Sequence, residues 1–305
     1  MPTLKQLAKR EERFVSGHRL CAGCGAGVIA RMVMLAIEKP VIVGTATGCL
    51  EVASTIFPYS AWNVPWIHSA FENVAATISG VEAAYQSLKK QGKIDKDIVF
   101  VAFGGDGGTY DIGLQSLSGA AERGHKMLYV CYTNQAYMNT GVQRSSATPK
   151  GAHTTTSPFG KVIPGKVQFP KDLPSIMVAH NIPYVATAIP GRWNDLITKV
   201  EKAVSFNGFT FIDVLSPCRL GWPHEPELTM EISRLAADTC IWPLYEVVEG
   251  KYKLTYKPKE KKPVAEWFKL QRRFAHLLKP ENQQLLEAIQ NEVDRRWEVL
   301  LKKAS

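Results

Sequence analysis

No run of about 18 apolar residues occurs in the 305-residue sequence, so no membrane-spanning helix is expected. The opening residues MPTLKQLAKREERF are too charged for a secretory core. These two absences lead to the expectation of a cytoplasmic protein without membrane attachment. Internal repeats and low-complexity tracts are missing as well, which removes solenoids and disordered arrays. Acidic residues are in the minority, 28 against 37 Lys and Arg, for a formal charge of +9. That surplus comes with no nucleic-acid-binding signature, and much of it crowds into Lys251–Lys262, so it reads as a solvated face. Cysteine is scarce, with six residues. In an intracellular chain a Cys-x-x-Cys points to metal or redox chemistry more than to structural disulfides.

What is present is a globular composition, 45% hydrophobic, enough for one large α/β domain with appendages. Ile98–Phe103 is short, β-branched and aromatic, the pattern of a strand buried on both faces of a parallel sheet. Gly104, Gly105, Gly107 and Gly108 stop it around Asp106. Glycines there let a ligand approach the backbone, and Asp106 is expected at the carboxyl edge of the sheet, where open α/β folds bind ligands. Helical spacing predicts a helix over Asp111–Arg123, closed by Gly124, and Met127–Thr133 reads as the next strand. It ends at Asn134, 28 residues after Asp106. A carboxylate, an amide and the Ala136 carbonyl offer the hard oxygens that Mg²⁺ takes together with diphosphate and water. The glycine turn and the helix start favour the same anion. Taken alone, the glycine run reads equally as a turn with an Asp N-cap; Asn134 at this interval shifts the balance.

Elsewhere the pattern predicts a helix over Val28–Ile37, a strand over Val41–Thr45 running into Ala46-Thr47-Gly48-Cys49, and a loop dense in Phe57, Tyr59, Trp62, Trp66 and His68. That loop suits a lid, a subunit interface or core packing. Ser69–Gly92 reads as a long helix. Residues 135–167 form a long polar loop without a period, and its place directly after Asn134 argues for function. Helix and strand then alternate through Pro174–His180, Tyr184–Ile189, Trp193–Ser205 and Phe209–Leu215, which predicts a doubly wound, mostly parallel α/β sheet. Residues 219–262 look irregular and basic, and Val264–Leu278 and Glu281–Leu301 look helical. The expected organisation is an α/β domain over 1–225 and a helical C-terminal extension over 226–305 that contacts other subunits.

Cys131 lies inside a predicted strand and Cys240 has no second cysteine nearby, so both are read as buried small hydrophobes. Cys21, Cys24, Cys49 and Cys218 remain, in three loops that can converge on one side of a sheet. Four thiolates suit a [4Fe–4S] cluster or structural zinc, and spacing alone does not separate the two.

Gly-Asp-Gly with Asn at this interval resembles the thiamine-diphosphate motif. Together with Gly17-His18, Cys21-Ala22-Gly23-Cys24-Gly25, Ala46-Thr47-Gly48-Cys49, Pro65-Trp66-Ile67-His68, Tyr137-Met138-Asn139-Thr140-Gly141, Thr148-Pro149 and Ser216-Pro217-Cys218, it resembles the β subunit of 2-oxoacid:ferredoxin oxidoreductases, above all the pyruvate branch. The likeness runs over about residues 15 to 225. It implies a [4Fe–4S] cluster on Cys21, Cys24, Cys49 and Cys218, close to thiamine diphosphate. It implies Mg²⁺ on Asp106, Asn134 and the Ala136 carbonyl, with Thr47, Gly48, Cys49, His68, Gly105, Gly107, Gly108 and Thr140 about the cofactor. Asn139 corresponds to a polar catalytic residue near the reacting carbon.

The implied reaction is reversible oxidative decarboxylation of pyruvate to acetyl-CoA and CO₂. The cofactor acts as electron sink, coenzyme A takes the acyl group and ferredoxin takes the electrons. The Glu that acts on the aminopyrimidine and any further clusters belong to an α subunit and other subunits in the family, so this chain is expected to be inactive alone. A branched-chain 2-oxoacid or oxalate is the alternative substrate, and a non-catalytic zinc-binding module the alternative class.

Overall fold

Apolar runs separated by glycine-rich turns become the strands of one sheet. A computed structural model describes residues 2–305. The chain passes through α1 (Leu4–Leu7), α2 (Gly25–Ala36), β1 (Val41–Ala46), α3 (Cys49–Ser54), β2 (Trp66–Ser69), α4 (Val74–Lys90), β3 (Val99–Gly105), α5 (Leu114–Glu122) and β4 (Met127–Thr133). It continues through α6 (Leu173–Val178), β5 (Tyr184–Ala188), α7 (Trp193–Ala203), β6 (Phe209–Leu215), α8 (Thr229–Asp238), β7 (Tyr245–Val248), β8 (Lys251–Leu254), α9 (Val264–Lys269) and α10 (Gln283–Lys303). A π-helical turn, Gly107–Ile112, joins β3 to α5.

The sheet order is β2-β1-β3-β4-β6-β5-β7-β8. Pairing is parallel from β2 through β5 and antiparallel for β7 and β8. β4 and β6 are buried at every position, which is why both are mostly apolar. Side chains of a strand alternate between faces, and the core divides accordingly. Phe100, Ala102, Tyr129, Cys131 and Phe211 meet α4, α5, α6 and α8 to α10 on one face. Val101, Phe103, Leu128, Val130 and Ile212 meet α2 and α7 on the other. The expected doubly wound, mostly parallel sheet with a helical C-terminus is therefore what the chain builds.

Three local readings change. The aromatic loop contains β2, a four-residue edge strand in which only Ser69 is buried, too short and mixed to announce itself. Residues 219–262 are not irregular: they hold α8 and the β7–β8 hairpin. Glu249 (φ 48°) and Gly250 (φ 80°) form its two-residue turn. Lys251 and Lys253 are the exposed members of edge strand β8, so part of the basic run is an edge guarded by charge. The helix expected over Val264–Leu278 breaks after Lys269 and resumes as the 3₁₀ segment Arg272–Leu278. Extended Gln271 lies at the break, buried along with Arg273. Cys131 and Cys240 are buried, as expected.

Asp213 on β6 is fully buried and accepts from Thr133 Oγ1 at 2.5 Å and from the Tyr110 hydroxyl. Burial pushes its carboxyl up to about 7 against the pull of those donors. A carboxyl raised on folding stabilises the fold below its unfolded pKa, and that contribution is lost as pH rises through the folded value. Asp213→Asn is expected to flatten the fall in stability between about pH 4 and about pH 7, a window of up to about 4 kcal/mol. Urea unfolding across that range is the measurement, and an unchanged slope contradicts the burial argument.

Candidate cofactor crevice

The four adjacent parallel strands β1, β3, β4 and β6 end in Thr47–Cys49, Asp106, Asn134 and Ser216–Cys218 respectively. Parallel strands present their carboxyl ends to one crevice, so residues distant in sequence become neighbours there.

Asp106 is fully buried where β3 turns into the π-helical turn. Its Oδ1 accepts the backbone N–H of Asn134 at 2.9 Å and of Gln135 at 3.0 Å, and its Oδ2 accepts from Ser145 Oγ at 2.5 Å. Burial raises the carboxyl to about 7, and these donors pull it back toward ionisation. Gln135 takes φ 67°, a left-handed conformation that turns its N–H toward Asp106. The Asn134 side-chain amide lies against Asp106 Oδ1 and the Ala136 carbonyl oxygen: with its nitrogen turned toward them it donates to both, at 2.9 and 2.8 Å. A carboxylate, an amide and a backbone carbonyl therefore meet at this point, and their oxygens are of the donor type that Mg²⁺ takes.

Glycine lets the neighbouring chain approach the backbone closely at this edge. A Cβ on Gly108 would lie 2.7 Å from the Phe71 carbonyl oxygen, and one on Gly107 would lie 2.6 Å from the Tyr137 ring. On Gly48 it would meet the Tyr132 hydroxyl at 2.8 Å, and on Gly105 the Tyr132 ring at 3.3 Å. Thr47 Oγ1 lies 2.6 Å from His68 Nε2, whose ring stacks on Trp66. Thr140, expected about the cofactor, donates to Gln143 Oε1 at 2.5 Å within its own turn.

The Cys21–Cys24 loop is sewn to the Cys218 loop by Gly25 N–H to the Pro217 carbonyl at 3.1 Å and by Thr229 Oγ1 to the Gly23 carbonyl at 2.7 Å. Burial, helped by charges on Cys218, Cys24 and Cys21, raises the Cys49 thiol to about 11. Cys24 is raised by burial and then by Cys218 and Cys21. Cys218 is raised by burial and eased by the N–H of Gly221, 3.4 Å from its sulfur. Thiols that act on one another's charge lie in one neighbourhood, so the three cysteine-bearing loops face a common side of the sheet. The nearby Asn139 side chain eases the Cys49 thiol back down. Among the described residues no three His, Cys, Asp or Glu side chains are grouped so as to hold one metal ion.

Several members of the site carry no signal of their own in the sequence. Ser145 and Thr148 lie in the long loop, where Thr148 Oγ1 donates to the Gln135 carbonyl at 2.6 Å. Lys166, buried and lowered to about 8 by that burial, pins the loop by donating to the carbonyls of Ser145, Ser146 and Thr148. Trp222 Nε1 donates to the Asn134 carbonyl at 2.7 Å. A cavity of about 490 Å³ between this loop, β8 and α10 touches Gln135 but none of Asp106, Asn134 or the four cysteines. Ser145→Ala removes a donor from a buried carboxylate and is expected to cost about 1–3 kcal/mol in urea unfolding; no measurable loss contradicts the geometry.

Comparison with known proteins accords with this geometry. The family "Thiamine pyrophosphate enzyme, C-terminal TPP binding domain" matches residues 46–214, the span from the end of β1 into β6. Pyruvate synthase subunit PorB of Thermotoga maritima is 55% identical, with 98% of this chain and 95% of that protein covered. Ketoisovalerate oxidoreductase subunit VorB of Pyrococcus abyssi is 44% identical, with 96% and 94% covered. In fold, the chain resembles the 2-oxoglutarate:ferredoxin oxidoreductase of Magnetococcus marinus, solved with 2-oxoglutarate, coenzyme A and succinyl-CoA. The TM-score is 0.57 at 21% identity, covering 74% of this chain and 82% of that one. The chain belongs to the thiamine pyrophosphate enzymes and, among them, to the PorB-type subunits of 2-oxoacid:ferredoxin oxidoreductases.

Proposed function

We propose that this chain is the subunit that holds thiamine diphosphate and a [4Fe–4S] cluster in an enzyme that oxidatively decarboxylates pyruvate to acetyl-CoA. The electrons then pass to ferredoxin. The observation that supports this reading is the row of four neighbouring strand ends, at which Cys49, Asp106, Asn134 and Cys218 follow β1, β3, β4 and β6. Asp106, Asn134 and the Ala136 carbonyl hold Mg²⁺, and Gly48, Gly105, Gly107 and Gly108 let the diphosphate lie against the backbone. Cys21, Cys24, Cys49 and Cys218 ligate the cluster. When bound, thiamine diphosphate supplies an electron sink for the carbon that loses CO₂, and the cluster supplies a one-electron acceptor at its side.

The chain's own residues then have defined work. Asp106 stays ionised once a cation offsets its burial, and Ser145, Asn134 and Gln135 orient its two oxygens. Thr47, held by His68, borders the diphosphate side. Asn139, within reach of Cys49, donates a hydrogen bond at the boundary between substrate and cluster. The Glu that acts on the aminopyrimidine comes from a partner α subunit, and outer surfaces of residues 226–305 contact sibling subunits in the cytoplasm. A branched-chain 2-oxoacid is the second reading, favoured by the 44% identity to the ketoisovalerate subunit.

The test is purification of the native complex under anaerobic conditions and turnover on a panel of 2-oxoacids with coenzyme A and ferredoxin. Pyruvate as preferred substrate, with broad absorbance near about 400 nm from the cluster, is the expected result. A colourless, zinc-containing chain inert to all of them overturns the proposal. Asp106→Ala is expected to lose thiamine diphosphate at least about tenfold while far-UV circular dichroism is unchanged; normal cofactor content refutes the metal assignment. Cys49→Ser is expected to impair ferredoxin reduction more than thiamine retention, and unchanged reduction would mean that other thiols hold the cluster.

A further inference from the structure

Arg273 presents a buried cation without a carboxylate partner. It is 4% exposed, donates from Nη2 to Gln135 Oε1 at 2.6 Å, and donates from Nη2 and Nε to Gln271 Oε1 at 2.8 and 3.0 Å. Its guanidinium lies 4.0 Å from the Trp222 ring centroid, 4.8 Å from Phe274 and 5.6 Å from Trp267. The glutamine oxygens and the ring faces satisfy its geometry but bring no formal negative charge. A guanidinium keeps its proton even when burial disfavours it, and a buried charge left uncompensated costs several kcal/mol. The groups whose charges favour its ionised form are Cys218 and Asp106. One lies in the sulfur group and the other in the oxygen group.

The contacts of Arg273 lead into both loops. Gln135, which it grips, gives its N–H to Asp106 Oδ1 and its carbonyl to Thr148. Trp222, on which it lies, donates from Nε1 to the Asn134 carbonyl and from its backbone N–H to the Cys218 carbonyl at 2.8 Å. The residue arrives by way of the break between α9 and the following 3₁₀ segment, and its carbonyl accepts the N–H of His153 from the long loop. Removing it would loosen Gln135 and Trp222 together.

We infer that Arg273 is a positioning residue that joins the two centres. Its fork, anchored on Gln271, fixes the Gln135 side chain beside the turn that holds Asp106, and its fixed positive charge lies on Trp222, which bonds the Asn134 and Cys218 carbonyls. This rests on the cofactor reading given under Proposed function. The fork and the charge are separable, because lysine keeps the charge and forfeits the bidentate, stacked geometry. The fork governs cation and diphosphate binding through Gln135 and Asp106; the charge lowers the cost of adding an electron to the cluster.

The assembled complex carrying Arg273→Lys, Arg273→Met or Gln135→Ala tests both halves. Thiamine diphosphate affinity is measured at fixed Mg²⁺ by tryptophan fluorescence, and the cluster midpoint potential by redox titration followed by electron paramagnetic resonance. Arg273→Lys and Gln135→Ala are expected to weaken thiamine diphosphate binding about tenfold and to keep the wild-type potential. Arg273→Met is expected to weaken binding at least as much and to move the potential negative. Wild-type affinity in Arg273→Lys or in Gln135→Ala, or an unshifted potential in an assembled Arg273→Met complex, overturns the inference. If Arg273→Met does not assemble, the other two variants decide the matter through affinity. A wild-type complex lacking thiamine diphosphate or the cluster refutes the cofactor reading instead, so the two failures are distinct.

Discussion

Everything at the carboxyl edge of the sheet depends on one buried carboxylate and what surrounds it. Asp106 has no solvent to stabilise its charge, so the cost of ionising it falls on the two N–H groups beyond β4 and on Ser145. Those three donors suffice to hold the side chain in place but leave it near neutrality in pKa, at about 7. A carboxylate so placed gains most from a cation. The fold therefore spends stability on a site whose balance is completed by something it binds.

The C-terminal segment is part of that same balance. Trp267, Phe268 and Phe274 pack into the core on one face of the sheet, and this packing carries Gln271 and Arg273 into the interior. Glycine has the opposite task at the strand ends. At Gly108 the neighbour a side chain would meet is a backbone carbonyl, which has no rotamer by which to give way. Close packing of glycine backbone against its neighbours shapes the crevice at these strand ends. The long loop of residues 135–167 closes one side of it, tied down by Lys166, whose ammonium donates to three loop carbonyls.

Legibility followed burial. β3 and β4 were readable because both of their faces are covered, which leaves no polar residue to confuse the pattern, and Asp106 and Asn134 stood out as the first polar side chains after them. β2 was hidden because an edge strand half open to solvent has no periodic signature in four residues. β7 and β8 were hidden by lysines that serve the exposed edge, since a charged edge and a solvated loop have the same composition. Thr140 belonged to a recognisable motif, yet its hydroxyl is consumed within its own turn. Ser145 and Gln135 act through where the loop returns, which residue type does not announce.

The sequence by itself determined the donor chemistry: a glycine-flanked Asp, an Asn one βαβ unit later, and four cysteines at loop positions. These are local properties, written in turn residues and short apolar runs. Only the tertiary structure decided that β1, β3, β4 and β6 lie side by side, so that oxygen and sulfur donors share an edge. It alone decided that Arg273, 138 residues beyond Gln135, enters the interior to reach it. Strand order and the burial of a distant cation follow from packing both faces of the sheet at once, and no stretch of chain contains that information alone.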